Sequence, residues 1–404
     1  MAELPAAKAS LMPVATALEL ILDGAAPLGS DEVGLADAAG RVLAGRLTAK
    51  LTQPPFPASA MDGYAVQAAE ATLGARLTVI GEAAAGRPFA GRCEAGAAVR
   101  VFTGSPVPMG ADAVVIQEDT RREGEQVEIM QAARPGENVR AEGGDFRAGE
   151  DLIAAGRLLG ARDLMLAASA GHARLAVHRR PVVAILATGD ELVMPGETPG
   201  DGQIVSSIPA GLAALVAAAG GLVRPLGIAR DTLASLDEHI AAAGDADILV
   251  TIGGASVGDH DLVHEALSAR GLQLAFWKIA MRPGKPLMFG RLRAQRVLGL
   301  PGNPVSAMLC AHVFLVPLLR ALTGRPPEGH MGRARLAEDL PANGPRQHYM
   351  RAVIRQGGLH PLVAPLPSQD SSLMKALAEA DCLIVVPAGS PALKAGADVT
   401  ILPI

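Results

Sequence analysis

Aromatic residues make up only 2% of the 404-residue chain, with Trp277 as its single tryptophan and Tyr64 and Tyr349 as its two tyrosines. So few ring faces exclude a groove that stacks the bases of single-stranded nucleic acid. Cysteine is equally scarce. Cys93, Cys310 and Cys382 are odd in number, far apart and in no metal-ligand spacing, which excludes a disulfide framework and a zinc ribbon and fits buried thiols in a reducing compartment. An excess of positive charge is also lacking: 36 Lys and Arg against 41 Asp and Glu leave a formal net charge of -5. Nothing global draws the chain to nucleic acid or an acidic membrane, so an anionic ligand must be held by local charge.

Two uncharged stretches reach membrane-spanning length, 203–223 and 297–319. The first carries Ser206, Ser207 and Gly220-Gly221, and the second Asn303, His312 and three prolines. Both read as buried α/β core, so no membrane association is expected. Near the start, Val14, Leu18, Ile21 and Leu22 fall at helical spacing and Glu19 interrupts the apolar run. An amphipathic helix fits this better than a signal peptide, and a cytoplasmic protein is expected.

What is present is a chain long enough for several cores, 50% hydrophobic and 19% charged, which excludes general disorder. The Val14–Leu22 pattern ends at Gly24, and helix-compatible composition returns after Gly149 through Leu158, Leu159, Leu164 and Leu166. A discontinuous linker domain of residues 1–50 and 146–178 is therefore expected, interrupted by a β-rich domain of residues 51–145 in which short apolar runs are bounded by Gly and Pro. From 179 to 325 buried strands alternate with helices, the pattern of a doubly wound parallel α/β domain. After Pro326-Pro327 short β segments resume, which predicts a C-terminal β-barrel of residues 326–404. The expected fold class is thus multidomain α/β plus β, with a small helical linker domain.

Three core strands of the α/β segment run into glycine loops: Thr188-Gly189-Asp190-Glu191, then Gly253-Gly254-Ala255-Ser256-Val257-Gly258, then Pro301-Gly302-Asn303-Pro304-Val305-Ser306. In a parallel sheet such loops gather at the carboxyl edge, where ligands of doubly wound folds bind. Glycines there let main-chain N–H groups close on an anion. Asn303 as N-cap and Pro304 at the first helical position start a helix whose dipole favours phosphate. Asp190, Glu191, Asp231, Asp259 and Asp261 follow strands at the same edge. Carboxylates beside a phosphate pocket point to Mg²⁺, with Glu191 and Asp261 assigned to the ion, whereas helix capping is the competing reading for Asp231 and for one of Asp259 and Asp261. His260 and His264 are one helical turn apart but have no third ligand of matching softness. Lys278, Arg282 and Lys285 surround a Pro-Gly turn with no acid between them, an oxyanion site rather than a solvated face. In the β-rich segment, 59–65 and 102–108 read as ordered loops, and Asp62-Gly63 by composition reads as a hairpin turn.

Six motifs in order, S-A-M-D-G-Y-A-V (59–66), T-G-S-P-V-P-M-G-A-D-A-V-V (103–115), T-G-D-E-L (188–192), G-G-A-S-V-G-D-H-D (253–261), R-P-G-K-P (282–286) and L-P-G-N-P-V-S-A (300–307), resemble the molybdopterin molybdenumtransferase family, the bacterial MoeA proteins and the E domain of gephyrin. The resemblance spans residues 10 to 404. It implies insertion of molybdate into adenylylated molybdopterin with Mg²⁺-assisted release of AMP. It also implies a homodimer whose active site crosses the subunits, with Asp62 and Thr103 reaching toward Glu191, Asp231, Asp261, Lys278, Arg282 and Lys285. Arg140 and Asp145 match a further family motif, and Arg351 and Ser371 match in the terminal domain. With the loop residues Thr188, Gly189, Asp190, Gly253, Gly254, Ser256, Gly258, Pro301, Gly302, Asn303, Pro304 and Ser306 they make up the implied substrate site. Position 282 is Arg where family members often have Lys, which changes how an oxyanion is gripped. Two alternatives stand beside this reading: a molybdopterin adenylyltransferase, which ATP-dependent pyrophosphate release would reveal, and a non-catalytic scaffold. The adenylyltransferase is also a candidate protein partner.

Overall fold

Val182–Thr188, Leu222–Ala229, Ile248–Ile252 and Gln295–Leu300 are the apolar runs that the sequence assigns to one sheet. In the computed structural model, which describes residues 11–254, 262–329, 331–355 and 361–404, they pair as parallel neighbours in the order 222–229, 182–188, 248–252, 295–300. Alternate residues feed two different cores, as the period of two in a strand requires. Val183, Ile185, Val250 and Leu298 pack with Leu212 and Val216 of the Ile208–Ala218 helix and with Leu309, Phe314 and Leu318. Ala184, Leu186 and Leu249 pack on the other face with Leu236 and Ile240 of the Leu233–Ala242 helix and with Val263 and Leu267. Helices therefore cover both faces, and Pro225 is tolerated because its strand lies at the edge.

The sheet is not parallel throughout, as the sequence pattern had suggested. Met288–Leu292 runs antiparallel to Gln295–Leu300, and Gln273–Trp277 runs antiparallel to Met288–Leu292. The hairpin turns at Arg293 with a φ of 57°, a position with none of the glycine or asparagine that signals such turns in sequence. The long apolar run that follows begins as the Pro304–Cys310 helix, passes through a π-helical turn at Ala311–Leu315 and continues as Val316–Leu322. Pro317 accounts for the widened turn, because it has no N–H and its ring crowds the carbonyl four residues before it. By length and composition this run could cross a membrane, but 67% of it is buried inside the protein, where it forms the floor of the larger core.

The chain divides into two units, residues 1–31 with 178–404, and residues 32–177. The Val14–Leu22 helix, read from sequence as the start of the linker piece, instead buries Val14, Ala17 and Ile21 in the α/β core. The first unit also contains a closed five-stranded barrel. Gln347–Arg355, Leu362–Pro365, Gly332–Leu336, Asp398–Pro403 and Cys382–Val386 pair in turn, and the last pairs back onto the first. Met281–Arg282 adds a short parallel pairing to Gln347-His348.

In the second unit a six-stranded sheet runs 113–116, 63–66, 97–101, 76–83, 126–129, 120–123, with separate apolar clusters on its two faces. A smaller piece pairs Leu47–Thr48 with Asp151–Ile153 and packs the Ala161–Ser169 helix over Leu43, Leu159 and Leu175. Gly63 is not a hairpin residue. It opens a central strand between 97–101 and 113–116, and a Cβ there would lie 2.0 Å from the Val115 carbonyl oxygen. Substituting Gly63→Ala is expected to separate these strands and cost about 3 kcal/mol or more, read as a lowered midpoint in urea unfolding. An unchanged midpoint would mean that the strands are not this close.

Candidate active site

Four loops at the carboxyl edge of the α/β sheet are tied to one another. The Gly253 N–H donates to the Leu300 carbonyl (3.2 Å) and the Gly189 N–H to the Ala229 carbonyl (3.2 Å). The Asp231 N–H donates to Asp190 Oδ1 (3.3 Å), and Arg230 Nη1 donates to the Asp190 carbonyl (3.3 Å). At Gly253 and Gly254 contact is close enough to require glycine. A Cβ on Gly253 (φ +88) would stand 2.9 Å from the Thr188 carbonyl oxygen, and one on Gly302 would touch the Gly253 Cα at 3.5 Å. At Gly254 (φ +65) a Cβ would meet Val263 at 2.3 Å. Thr188, Gly253 and Gly302 thus form one continuous packing column, and the loops read as a set from sequence do converge.

Asn303 caps the Pro304–Cys310 helix, its side chain accepting from the Ser306 N–H at 3.4 Å, with Pro304 in the first turn. Thr232, not Asp231, caps the Leu233–Ala242 helix. The capping alternative therefore does not account for Asp231, whose side chain is exposed. Asp190 and Glu191 are exposed beside it. The side chains here offer hard oxygen only, and among the described residues no three His, Cys, Asp or Glu side chains gather to enclose a metal. That donor set suits Mg²⁺, which keeps waters and takes further oxygens from substrate phosphates. Ser256, Gly258, Asp259, His260 and Asp261 lie outside the described residues.

Lys278 follows the strand that ends at the same edge. Its N–H donates to the Leu287 carbonyl (3.0 Å), and the Ile279 N–H donates to the Lys285 carbonyl (3.0 Å), which closes the 278–287 loop on itself. Gly284 (φ +106) lets the loop press on the helix below, where a Cβ would lie 2.5 Å from Cys310 Sγ. Lys278, Arg282 and Lys285 form no ion pair among the described residues. Three cations on one ordered loop, unpaired among the described residues, concentrate positive charge there. Arg282 pairs across strands with His348. Burial, with Arg282, Arg346 and Arg351 nearby, pushes the His348 imidazole down to about 4, so it adds no charge to the loop at neutral pH.

In the second unit, Asp62 and Thr103 meet. The Thr103 N–H and hydroxyl both donate to Asp62 Oδ1 at 2.8 Å. These two bonds, with the Arg100 cation adding to them, hold the carboxyl below the ordinary aspartate range. The loops carrying them are pinned by Ser59 N–H to Ser105 carbonyl (2.9 Å) and Gly104 N–H to Ser59 carbonyl (2.8 Å). Arg140 lies exposed on a short strand paired to Ala58, beside the same loop, while Asp145 is exposed and tied through its N–H to the Gln53 carbonyl at 3.0 Å.

Arg351 is placed differently from its expected binding role. Its side chain is 1% exposed and donates to the carbonyls of Leu373 (3.1 Å), Ser368 (3.2 Å) and Asp370 (2.8 Å). It clamps the loop that presents the half-buried Ser371. Sequence reasoning also passed over Arg230, although its position directly after an edge strand carried the same signal as that of Asp231.

Residues 12–171 match the MoeA N-terminal region (domain I and II), 184–321 a probable molybdopterin binding domain and 333–404 the MoeA C-terminal region (domain IV). The chain is 36% identical over 382 residues to a molybdopterin molybdenumtransferase of a Nostoc species, covering 92% of this chain and 88% of that one. It is 34% identical over 387 residues to the Haemophilus influenzae protein of the same name, with 93% and 94% covered. A crystal structure of a molybdopterin biosynthesis MoeA protein from Pyrococcus horikoshii superimposes with a TM-score of 0.84 at 30% identity, over 98% of this chain and 99% of that one.

Two histidines, His312 half-buried and His348 buried, give the site's unit a pH signature. His312, in the π-helical turn, is pushed down to about 4 by burial alone, and His348 lies there too. The unfolded chain binds these protons near pH 6.5 and the folded chain only near 4, so stability is full above that window and falls as pH drops through it. The thermal midpoint is expected to decline between pH 6.5 and 4, less steeply in His312→Leu. An identical slope in the variant would contradict the burial of a neutral imidazole.

Proposed function

Because the chain belongs to the molybdopterin molybdenumtransferase family, we propose that it catalyses the last step of molybdenum cofactor synthesis, inserting molybdate into adenylylated molybdopterin with Mg²⁺-dependent release of AMP. The observation that best supports this reading is the column of Thr188, Gly253 and Gly302 beside an ordered loop whose cations are unpaired among the described residues. An adenylylated pterin needs a glycine cradle for its phosphates, and molybdate needs a second oxyanion pocket.

In this reading the main chain of Gly189, Gly253, Gly254 and Gly302 admits the phosphates closely. Pro301, Asn303, Pro304 and Ser306 bring a helix N-terminus against them. Lys278, Arg282 and Lys285 stabilise the charge that grows on AMP as it leaves, because they are ordered before the reaction and have no ion-pair partner among the described residues. Arg282 grips an oxyanion through a planar fork rather than as a point charge. Glu191 and Asp261 would hold Mg²⁺, with Asp190 and Asp231 beside them, and the ion would supply charge neutralisation on phosphate oxygens. Asp62, kept ionised by its two Thr103 donors, with Arg140 and Asp145, completes the site from the other subunit of a homodimer. Ser371 contributes from the loop that Arg351 holds.

The cross-subunit arrangement is tested by co-expressing differently tagged Asp62→Ala and Glu191→Ala chains. Each variant alone is expected to be nearly inactive. A mixed dimer holds one site with both defects and one with none, so a random equal mixture recovers about a quarter of wild-type AMP release. No recovery in purified mixed dimers would place both residues in one subunit's site, and AMP release at an equal rate without molybdate would overturn the coupled reaction itself.

A further inference from the structure

We propose that Arg100 is a positioning residue for the Asp62–Thr103 pair, gathering onto one guanidinium the chain segments on which that pair is built. The proposal rests on the reading above, in which Asp62 and Thr103 take part in the transfer. Arg100 lies on the Ala97–Val101 strand directly opposite Tyr64. Its guanidinium carbon sits 5.2 Å from the Tyr64 ring centroid and 5.0 Å from that of Phe102. Nη1 donates to the Gly63 carbonyl at 3.2 Å and Nη2 to Gln117 Oε1 at 2.7 Å. The Gln117 N–H in turn donates to the Asp62 carbonyl at 3.0 Å.

Each of these partners is a handle on the pair. Gly63 follows Asp62, Phe102 precedes Thr103, and Gln117 holds the Asp62 main chain. The two donors fix the Asp62 side of the site, and the ring contact fixes the Phe102 side, from which the Thr103 N–H and hydroxyl reach Asp62 Oδ1. A planar cation with directed donors and flat faces meets all three at once, and a lysine would supply charge alone. The groups that bear on the Asp62 carboxyl are the two Thr103 donors and the Arg100 cation. Arg100 touches no reacting atom in this account and acts through the geometry of its neighbours.

The test uses Arg100→Met and Arg100→Lys in the full chain, read by molybdate-dependent AMP release and by ¹³C NMR titration of the Asp62 carboxyl, assigned through Asp62→Asn. Arg100→Met is expected to move the Asp62 midpoint upward and slow AMP release about tenfold or more, with Arg100→Lys restoring part of the titration but little of the rate. In an Asp62→Asn background, Arg100→Met should cause no further loss, because the pair it positions is already broken. A wild-type titration and rate in Arg100→Met, or losses that multiply in the double variant, would overturn the proposal. Should Arg100→Met fail to fold, Arg100→Lys decides by the same two readouts. If the wild-type chain releases no AMP, the functional reading fails while the titration still decides the role of Arg100.

Discussion

The close stacking of backbone on backbone at the carboxyl edge is the constraint on which the rest of the α/β domain depends. Gly302 lies on Gly253, and Gly253 on Thr188, with no room for a Cβ between Gly253 and the Thr188 carbonyl. The strands bearing these loops are neighbours in the sheet, so their spacing is fixed at about 4.8 Å, and the Gly253-Gly254 loop can approach Thr188 and Val263 this closely only without side chains. Meeting is what brings three sets of main-chain groups to one place. Around them Glu191, Asp231, Arg282 and Lys285 are exposed and Lys278 half-buried, and none forms an ion pair among the described residues, so their charge is not used in holding the fold there.

The opposite edge shows the converse arrangement. There the helices end, and arginines cover their last carbonyls: Arg180 donates to the carbonyls of Gly220 and Gly221, Arg224 to that of Ala243, and Arg325 to that of Ala219. Arg179 makes a bidentate pair with Asp247 at 3.0 and 2.7 Å, and Asp247 also accepts from the Val182 N–H. Positive charge at helix carboxyl ends complements the dipole. The arginines at this edge are therefore structural, while the cations at the carboxyl edge, Lys278, Arg282 and Lys285, have no such partners among the described residues. The same chemistry does two jobs because its surroundings differ.

Much of this was legible in the sequence where one physical signal dominated. Ile248–Ile252 is buried on both faces and bounded by a turn and two glycines, so composition alone marks it as a central strand. The Asn303-Pro304 start of a helix was readable because capping chemistry is local. Signals failed where local chemistry was ambiguous. Asp62-Gly63 has turn composition, yet the tertiary approach of Val115 makes Gly63 a strand residue. Arg351, which only the family resemblance placed in the substrate site, is buried by the barrel against carbonyls. The Arg293 hairpin and the docking of the Val14–Leu22 helix depend on long-range packing, which no short pattern encodes.

The central claim is that the carboxyl edge of the α/β sheet holds the reacting anions in two neighbouring pockets, one formed by the glycine column and one by the Lys278–Lys285 loop. A crystal soaked with molybdate and AMP, measured at the molybdenum absorption edge, tests this directly. Anomalous density beside Lys278, Arg282 and Lys285, with the AMP phosphate against Gly253 and Gly302, is the predicted result. Molybdenum at the arginine-rich opposite edge, or AMP bound away from the glycine loops, would contradict it.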